Sequence, residues 1–240
     1  EYIDYSMMAQ AEGLKFGIEH YRRRKPHCSG TLIWQLNDCW PVLSWSIVDY
    51  YGFGKAGYFY TRRAYALVLA SFQQREDGSV ELWLTNDTLN EVTDTVTIRL
   101  GTFANGTVWE ESCQVRVGGN GNQVVWRGNA EKITAGPDSY LSVHSTNSLF
   151  PPNRHFFSPI KDLQRTPVPP EITITPESEH ALQVRFRAVS YTYFLHLMVP
   201  DERTHFSDNY FDLEAGESRT IVLTNRSITL TPEMVSIGWR

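Results

Sequence analysis

Apolar positions along the chain follow two rhythms, and the change from one to the other falls near residue 66. Before it, Ile3, Met7, Ala11, Leu14, Ile18 and Tyr21 recur at spacings of three and four, which predicts an amphipathic helix. Arg22, Arg23, Arg24 and Lys25 close that helix with cations suited to the negative end of its dipole, and Pro26 blocks continuation. The basic run reads as a solvated helix end rather than a nucleic-acid signal. Gly30, Thr31, Leu32 and Ile33 lack polar alternation, so they predict a strand covered on both faces, as in parallel sheets wrapped by helices. A second helix is predicted over about 55–65. Helix, buried strand, helix is a slice of an α/β repeat. One parallel strand is no sheet, so residues 1–66 are expected to complete theirs with strands outside this sequence, which opens at Glu1 without a methionine.

Beyond residue 66 the period is two. Val80, Leu82 and Leu84 alternate with Glu81, Trp83 and Thr85 after the turn signal Asp77-Gly78, and Val96, Ile98 and Leu100 repeat the alternation. Gly118-Gly119-Asn120-Gly121-Asn122 is a turn between Val115/Val117 and Val124/Val125/Trp126, with further strands near 140–144 and 153–158. Thr166-Pro167-Val168-Pro169-Pro170 is a stiff connector, because proline fixes φ and withholds a donor. After it, Ile172/Ile174, Leu182/Val184/Phe186, residues 193–197, Tyr210/Leu213, Ile221/Leu223 and Val235/Ile237/Trp239 predict a smaller all-β unit. The expected fold is mainly β with an N-terminal α/β segment. Its three parts are residues 1–66, the end of a barrel, and two β-sandwiches at 67–164 and 165–240.

Composition narrows the partners. The 240 residues carry a formal net charge of -5, which offers no basic field for a phosphate backbone, so nucleic acid is not an expected partner. Nor is a membrane, since no apolar run approaches spanning length. Cys28, Cys39 and Cys113 cannot all pair within the chain, which favours a reducing compartment and a cytoplasmic location. Asn86-Asp87-Thr88, Asn105-Gly106-Thr107 and Asn225-Arg226-Ser227 match the glycosylation acceptor pattern, too short a motif to settle secretion. His27-Cys28 has no second ligand pair at metal spacing, and Asp208, Asp212 and Glu214 with Gly216 read as a turn rather than a calcium loop. No metal or cofactor is implied.

The candidate chemistry sits where the apolar run at 30–33 meets Trp34, Asn37, Asp38 and Trp40, since ligands bind at the carboxyl ends of α/β-barrel strands. An indole can stack on the C–H face of a sugar while amide and carboxylate groups take its hydroxyls, which makes Trp34, Asn37 and Asp38 the candidate substrate-binding residues. The competing reading of Trp34 is a core tryptophan, and that of Asn37 and Asp38 a turn pair leaving the strand. Trp40 and Trp45 read as loop anchors.

These residues also carry a family resemblance. Cys28-Ser29-Gly30-Thr31-Leu32-Ile33-Trp34-Gln35-Leu36-Asn37-Asp38-Cys39-Trp40-Pro41, followed by Ser44-Trp45-Ser46-Ile47-Val48-Asp49-Tyr50-Tyr51-Gly52 and Lys55-Ala56-Gly57-Tyr58, resembles the last barrel strand and final helix of the β-mannosidases of glycoside hydrolase family 2. Val80-Glu81-Leu82-Trp83-Leu84-Thr85-Asn86-Asp87 resembles the start of the immunoglobulin-like domain after their barrel. Phe206-Ser207-Asp208-Asn209-Tyr210-Phe211-Asp212-Leu213-Glu214-Ala215-Gly216-Glu217 resembles part of their terminal sandwich.

The resemblance implies the C-terminal part of a retaining exo-β-mannosidase acting on terminal β-mannose of oligosaccharides, with Trp34 at the floor of the terminal sugar's subsite. Retaining hydrolysis needs two carboxyl groups about 5 Å apart. In the family both are glutamates on earlier strands, so no catalytic residue is expected in this chain. Glu12, Glu19 and Asp49 are poorly placed to substitute, and Asp38 is the one carboxylate at the strand's mouth. Two alternatives stand beside this reading: a carbohydrate-binding pair of sandwiches, which requires a stripe of exposed aromatics, and a family 2 glycosidase for glucosamine, galactose or glucuronate. Oligomeric state is not legible.

Overall fold

The computed structural model describes residues 2–129, 131, 133 and 135–240. It is mostly β: two helices, α1 (Tyr2–Arg22) and α2 (Ala56–Ala64), accompany fourteen strands among the described residues. Two compact units emerge. One gathers Glu1–Lys15, Leu32–Thr61 and Pro167–Arg240, the other Phe16–Thr31 and Arg62–Thr166.

The second unit is built on an antiparallel sandwich. One sheet has the order β1-β2-β5, from β1 (Val68–Gln74), β2 (Val80–Asn86) and β5 (Gly121–Gly128). The other has the order β4-β3-β6-β7, from β3 (Val92–Thr102), β4 (Gly106–Val117), β6 (Ser139–Ser145) and β7 (Asn153–Phe156). The alternation read in the sequence puts Val80, Leu82, Leu84, Val96, Ile98 and Leu100 into one core with Trp126, Leu141 and Val143. Gly78, at φ +81, makes the β1–β2 turn, and Asp77 Oδ1 accepts the Ser79 amide there. The Gly118–Asn122 turn is present, but the strands on either side of it lie in different sheets. It is a crossover between layers, not a hairpin.

The basic run that closes α1 is solvated only in part: Arg24 is exposed, but its neighbours are engaged. Arg22 is buried, its Nη1 donating to the Ala64 carbonyl at 2.5 Å and its Nη2 to Asp87 at 2.9 Å. Arg23 donates to Ser71 Oγ, and Lys25 pairs with Asp87 and Asn120. Burial lowers the Arg22 pKa from its ordinary value, with Asp87 opposing that shift. A run of cations reads as surface because desolvation is costly; here carbonyls and a carboxylate offset that cost.

In the first unit β8 (Glu171–Ser178), β9 (Ala181–Arg187), β11 (His205–Phe206) and β13 (Ser218–Thr224) form a sheet of order β11-β13-β9-β8. The same unit holds a three-stranded sheet, β12-β10-β14, from β10 (Thr192–Met198), β12 (Phe211–Leu213) and β14 (Ser236–Gly238). β10 is buried on both sides from Thr192 to Leu197. Its aromatic residues continue into a cluster with α2: Tyr60 lies 6.2 Å from Phe194 between ring centroids, and Phe59 lies 5.9 Å from Tyr210. Phe194 and Tyr210 both adopt positive φ, a costly conformation for bulky residues. Asn209 supports it, its side chain bonding the Leu197 amide and carbonyl and the Tyr210 amide. The acids considered for calcium serve separate ends: Asp208 pairs with Arg219, Asp212 accepts from Tyr191 and the Phe194 amide, and Gly216 turns the chain at φ +83.

The strand expected at residues 30–36 is absent. That segment is extended but joins no sheet; Asn37↔Val48 and Val48↔Gly54 are isolated bridges. Leu32 is 101% exposed and Leu36 60%, the reverse of a strand covered on both faces. A parallel strand owes its burial to neighbours on each edge, and among the described residues this segment has only the short contact of its last residues with 47–48.

Candidate functional site

The candidate residues occupy the stretch between α1 and α2. Trp34 is 79% exposed, which removes the core-tryptophan reading for this structure, and the Trp34–Gln35 peptide is cis. Asn37 is exposed, its Nδ2 turned back 3.2 Å from the Asp38 carbonyl. Trp40 and Trp45 are each 63% exposed, so neither anchors the loop by packing. What anchors the loop is polar.

Asp38 is buried at 4% exposure. Ser44 Oγ donates to its Oδ1 at 2.5 Å, Ser46 Oγ to its Oδ2 at 2.6 Å, and Lys55 Nζ approaches Oδ2 at 3.2 Å. Lys55 also donates to Ser46 Oγ at 2.7 Å, and Ser44 Oγ accepts the Ser46 amide. The serine hydroxyls, with Lys55 behind them, stabilise the charged carboxylate and hold its pKa below the usual range. Three of its roughly four acceptor positions are thereby taken. Ser44, Ser46 and Lys55 escaped the sequence reading, because chain order alone does not show that they meet Asp38.

Other acids near this stretch are likewise engaged. Glu12 accepts from Tyr193 Oη at 2.9 Å, Glu19 from Asn153 Nδ2 at 2.7 Å, and Asp49 Oδ1 from the Tyr51 and Phe53 amides. The exposed aromatic side chains, among the described residues, are Tyr2, Tyr5, Phe16, Tyr21, Trp34, Trp40, Trp45, Tyr50, Tyr51 and Tyr65. All precede the first sandwich.

Residues 78–162 match the Mannosidase Ig/CBM-like domain, and residues 167–235 match the Ig-fold domain. Over these two stretches the chain is similar to immunoglobulin-like domains, the first of them of a type named for mannosidases. It is 35% identical over 126 residues to the β-mannosidase B of Emericella nidulans, an alignment covering 46% of this chain and 15% of that protein. With the β-mannosidase B of Aspergillus niger it shares 46% identity over 65 residues, 26% of this chain and 8% of that one. The chain therefore spans a small part of the length of the β-mannosidases it matches. In fold it resembles the β-D-mannosidase of Dictyoglomus thermophilum, with a TM-score of 0.85 and 24% identity over 98% of this chain and 29% of that one. The exo-chitosanase CsxA of Amycolatopsis orientalis is more distant, with a TM-score of 0.65 and 16% identity over 97% of this chain and 33% of that protein.

Proposed function

We propose that the chain is the C-terminal part of a retaining exo-β-mannosidase, and that residues 1–66 end its catalytic barrel while 67–164 and 165–240 are its accessory sandwiches. Its substrate is a β-mannoside oligosaccharide. The observation that carries this reading is the exposed Trp34 indole on a polar-anchored segment between two helices, followed by sandwiches that match β-mannosidase domains. Trp34 stacks on the apolar face of the terminal mannose, and Asn37 supplies a hydroxyl contact. The reacting carboxyl pair belongs to other parts of the protein. Within this chain Glu12, Glu19, Asp38 and Asp49 are each committed to fold contacts, which supports that assignment. The carbohydrate-binding alternative needs exposed aromatics on the sandwiches, and those observed lie elsewhere. Three free thiols support a cytoplasmic location for the whole protein.

The test is turnover of p-nitrophenyl β-D-mannopyranoside. The complete protein carrying this chain hydrolyses it with release of β-mannose, and the 240-residue chain alone does not. Trp34→Ala in the complete protein lowers kcat/KM by roughly 10–100-fold, while Trp83→Ala changes it by less than about threefold. Turnover by the chain alone, none by the complete protein, or equal effects of the two substitutions would each overturn the reading.

A further inference from the structure

Trp34 has an exposed ring, so within this chain the backbone that carries it fixes the Cα–Cβ bond from which the indole projects. That backbone is held through one edge only. The Gln35 carbonyl accepts the Ile47 amide at 3.2 Å, the Leu36 carbonyl accepts the Val48 amide at 2.8 Å, and the Asp38 amide donates to the Val48 carbonyl at 3.2 Å. Residues 46–49 are held in turn by the segment just before α2, the Lys55 amide reaching the Ile47 carbonyl at 2.9 Å and the Asp49 amide the Phe53 carbonyl at 3.0 Å. Three short segments thus lie side by side without enough bonds to make a sheet.

A single side-chain network ties all three. Asp38 comes from the first segment, Ser46 from the second and Lys55 from the third, and Ser44 adds the end of the exposed loop 39–45. Donor and acceptor roles are mutually consistent: Lys55 donates to Ser46 Oγ and to Asp38, Ser46 Oγ donates to Asp38, and Ser44 Oγ donates to the other carboxylate oxygen while accepting the Ser46 amide. Asp38 and Ser46 are buried, whereas Trp40, Leu43 and Trp45 between them are exposed. The loop has no apolar anchor of its own, so the carboxylate is what closes it.

We propose that Asp38, with Lys55, is a positioning residue: it fixes the direction of the Trp34 indole and the base of loop 39–45, and does not itself touch the sugar. The inference rests on the glycosidase reading for its kinetic consequence, though not for its structural one. Asp38→Asn keeps the volume but replaces one acceptor oxygen with a donor facing hydroxyl and ammonium donors. Lys55→Met keeps the stem and removes the charge.

The experiment has two arms, both on the complete protein. In the first, all tryptophans are replaced by 5-fluorotryptophan and the Trp34 fluorine resonance is assigned by Trp34→Phe. Asp38→Asn and Lys55→Met should shift or broaden the Trp34, Trp40 and Trp45 lines and leave those of Trp83, Trp109 and Trp126 in place. An unmoved Trp34 line in both variants overturns the proposal. If Asp38→Asn also disperses the sandwich lines, Lys55→Met and Ser44→Ala, which leave the carboxylate in place, decide the matter by the same criterion.

In the second arm, Asp38→Asn lowers kcat/KM for the aryl mannoside by about tenfold in the wild-type background and by less than about twofold in the Trp34→Ala background. Full additivity of the two substitutions overturns the action through Trp34. Absence of turnover by the unsubstituted protein sinks the glycosidase reading instead, and the fluorine arm alone then decides this one.

Discussion

His196 shows what a single buried side chain commits the molecule to. Its ring stacks on Tyr210 with centroids 5.2 Å apart and planes 9° from parallel, and Nδ1 lies 2.9 Å from the Phe194 carbonyl. Gly238 of β14 passes so close that a Cβ there would sit 2.5 Å from the imidazole. Burial pushes the His196 pKa below its ordinary value; the Phe194 carbonyl and Asp4 pull it back up and Arg240 adds to the lowering. The unfolded chain keeps a histidine pKa near about 6.5, so below that pH the unfolded state binds the proton that the folded state refuses. Stability from the neutral ring is complete above about pH 6.5 and declines as pH falls toward the lower folded value. Amide exchange in residues 192–198 should slow between pH 6.5 and 5 by less than its base-catalysed intrinsic chemistry requires. His196→Phe should remove that shortfall, and an unchanged profile in the variant would dispose of the idea. Tyr210 is pushed upward by the same burial and stays neutral throughout this range.

At the scale of elements, the sequence was most readable where one face of a strand meets a core. Leu182, Val184 and Phe186 alternate because their sheet has a wetter side, whereas Val80, Leu82 and Leu84 alternate with Glu81 and Thr85, polar residues that are buried too. The run at 193–197, read only as part of an all-β unit, is covered on both faces, and β10 obtains that cover from its own unit and from Tyr60 and its aromatic neighbours. The expectation of such cover for residues 30–33 failed, because apolar composition reports what a segment can bury and not whether the strands that would bury it are at hand. In α1 the expected stripe kept Ala11 and Ile18 but gave Met8 and Arg22 in place of Met7 and Tyr21, since apolar residues lie on more than one side and the pattern has no unique face. Of the candidate site, Trp34 and Asn37 were picked by residue type at the end of an expected strand, and they lie instead in an exposed segment outside any sheet. The role of Asp38 was not readable, because it depends on Ser44, Ser46 and Lys55 meeting across a turn.

The three acceptor sequons make this limit testable. Asn86 is fully buried with Nδ2 shared among the Asn90, Val117 and Gly118 carbonyls, and Asn225 is buried against Thr204 Oγ1. Asn105 alone of the three is exposed, in the β3–β4 turn. Expressed behind a secretory leader, the chain should gain one endoglycosidase-sensitive glycan, and Asn105→Gln should abolish it. A second glycan on the folded chain would contradict the burial of Asn86 and Asn225.

For the whole molecule, the consequence lies in where apolar surface remains. Leu32, Trp34, Leu36, Trp40, Leu43 and Trp45 are exposed within fourteen consecutive positions, residues 32–45. Exposed apolar residues on the sandwiches, by contrast, are scattered singly, as Leu89, Val108, Val189 and Met198 are. Scattered apolar residues are ordinary on protein surfaces, whereas a concentration of them drives association. A net charge of -5 on 240 residues opposes close approach only weakly at physiological salt, where the screening length is about 8 Å. The 240-residue chain should therefore self-associate reversibly in sedimentation velocity, with a weight-average coefficient that rises with concentration. Leu32→Glu with Leu43→Glu should shift that curve toward the monomer, because both changes put charge into the exposed run without touching the Asp38 network. Leu89→Glu with Val108→Glu adds the same charge elsewhere and should shift it far less. If both pairs act alike, net charge and not the run at 32–45 governs association.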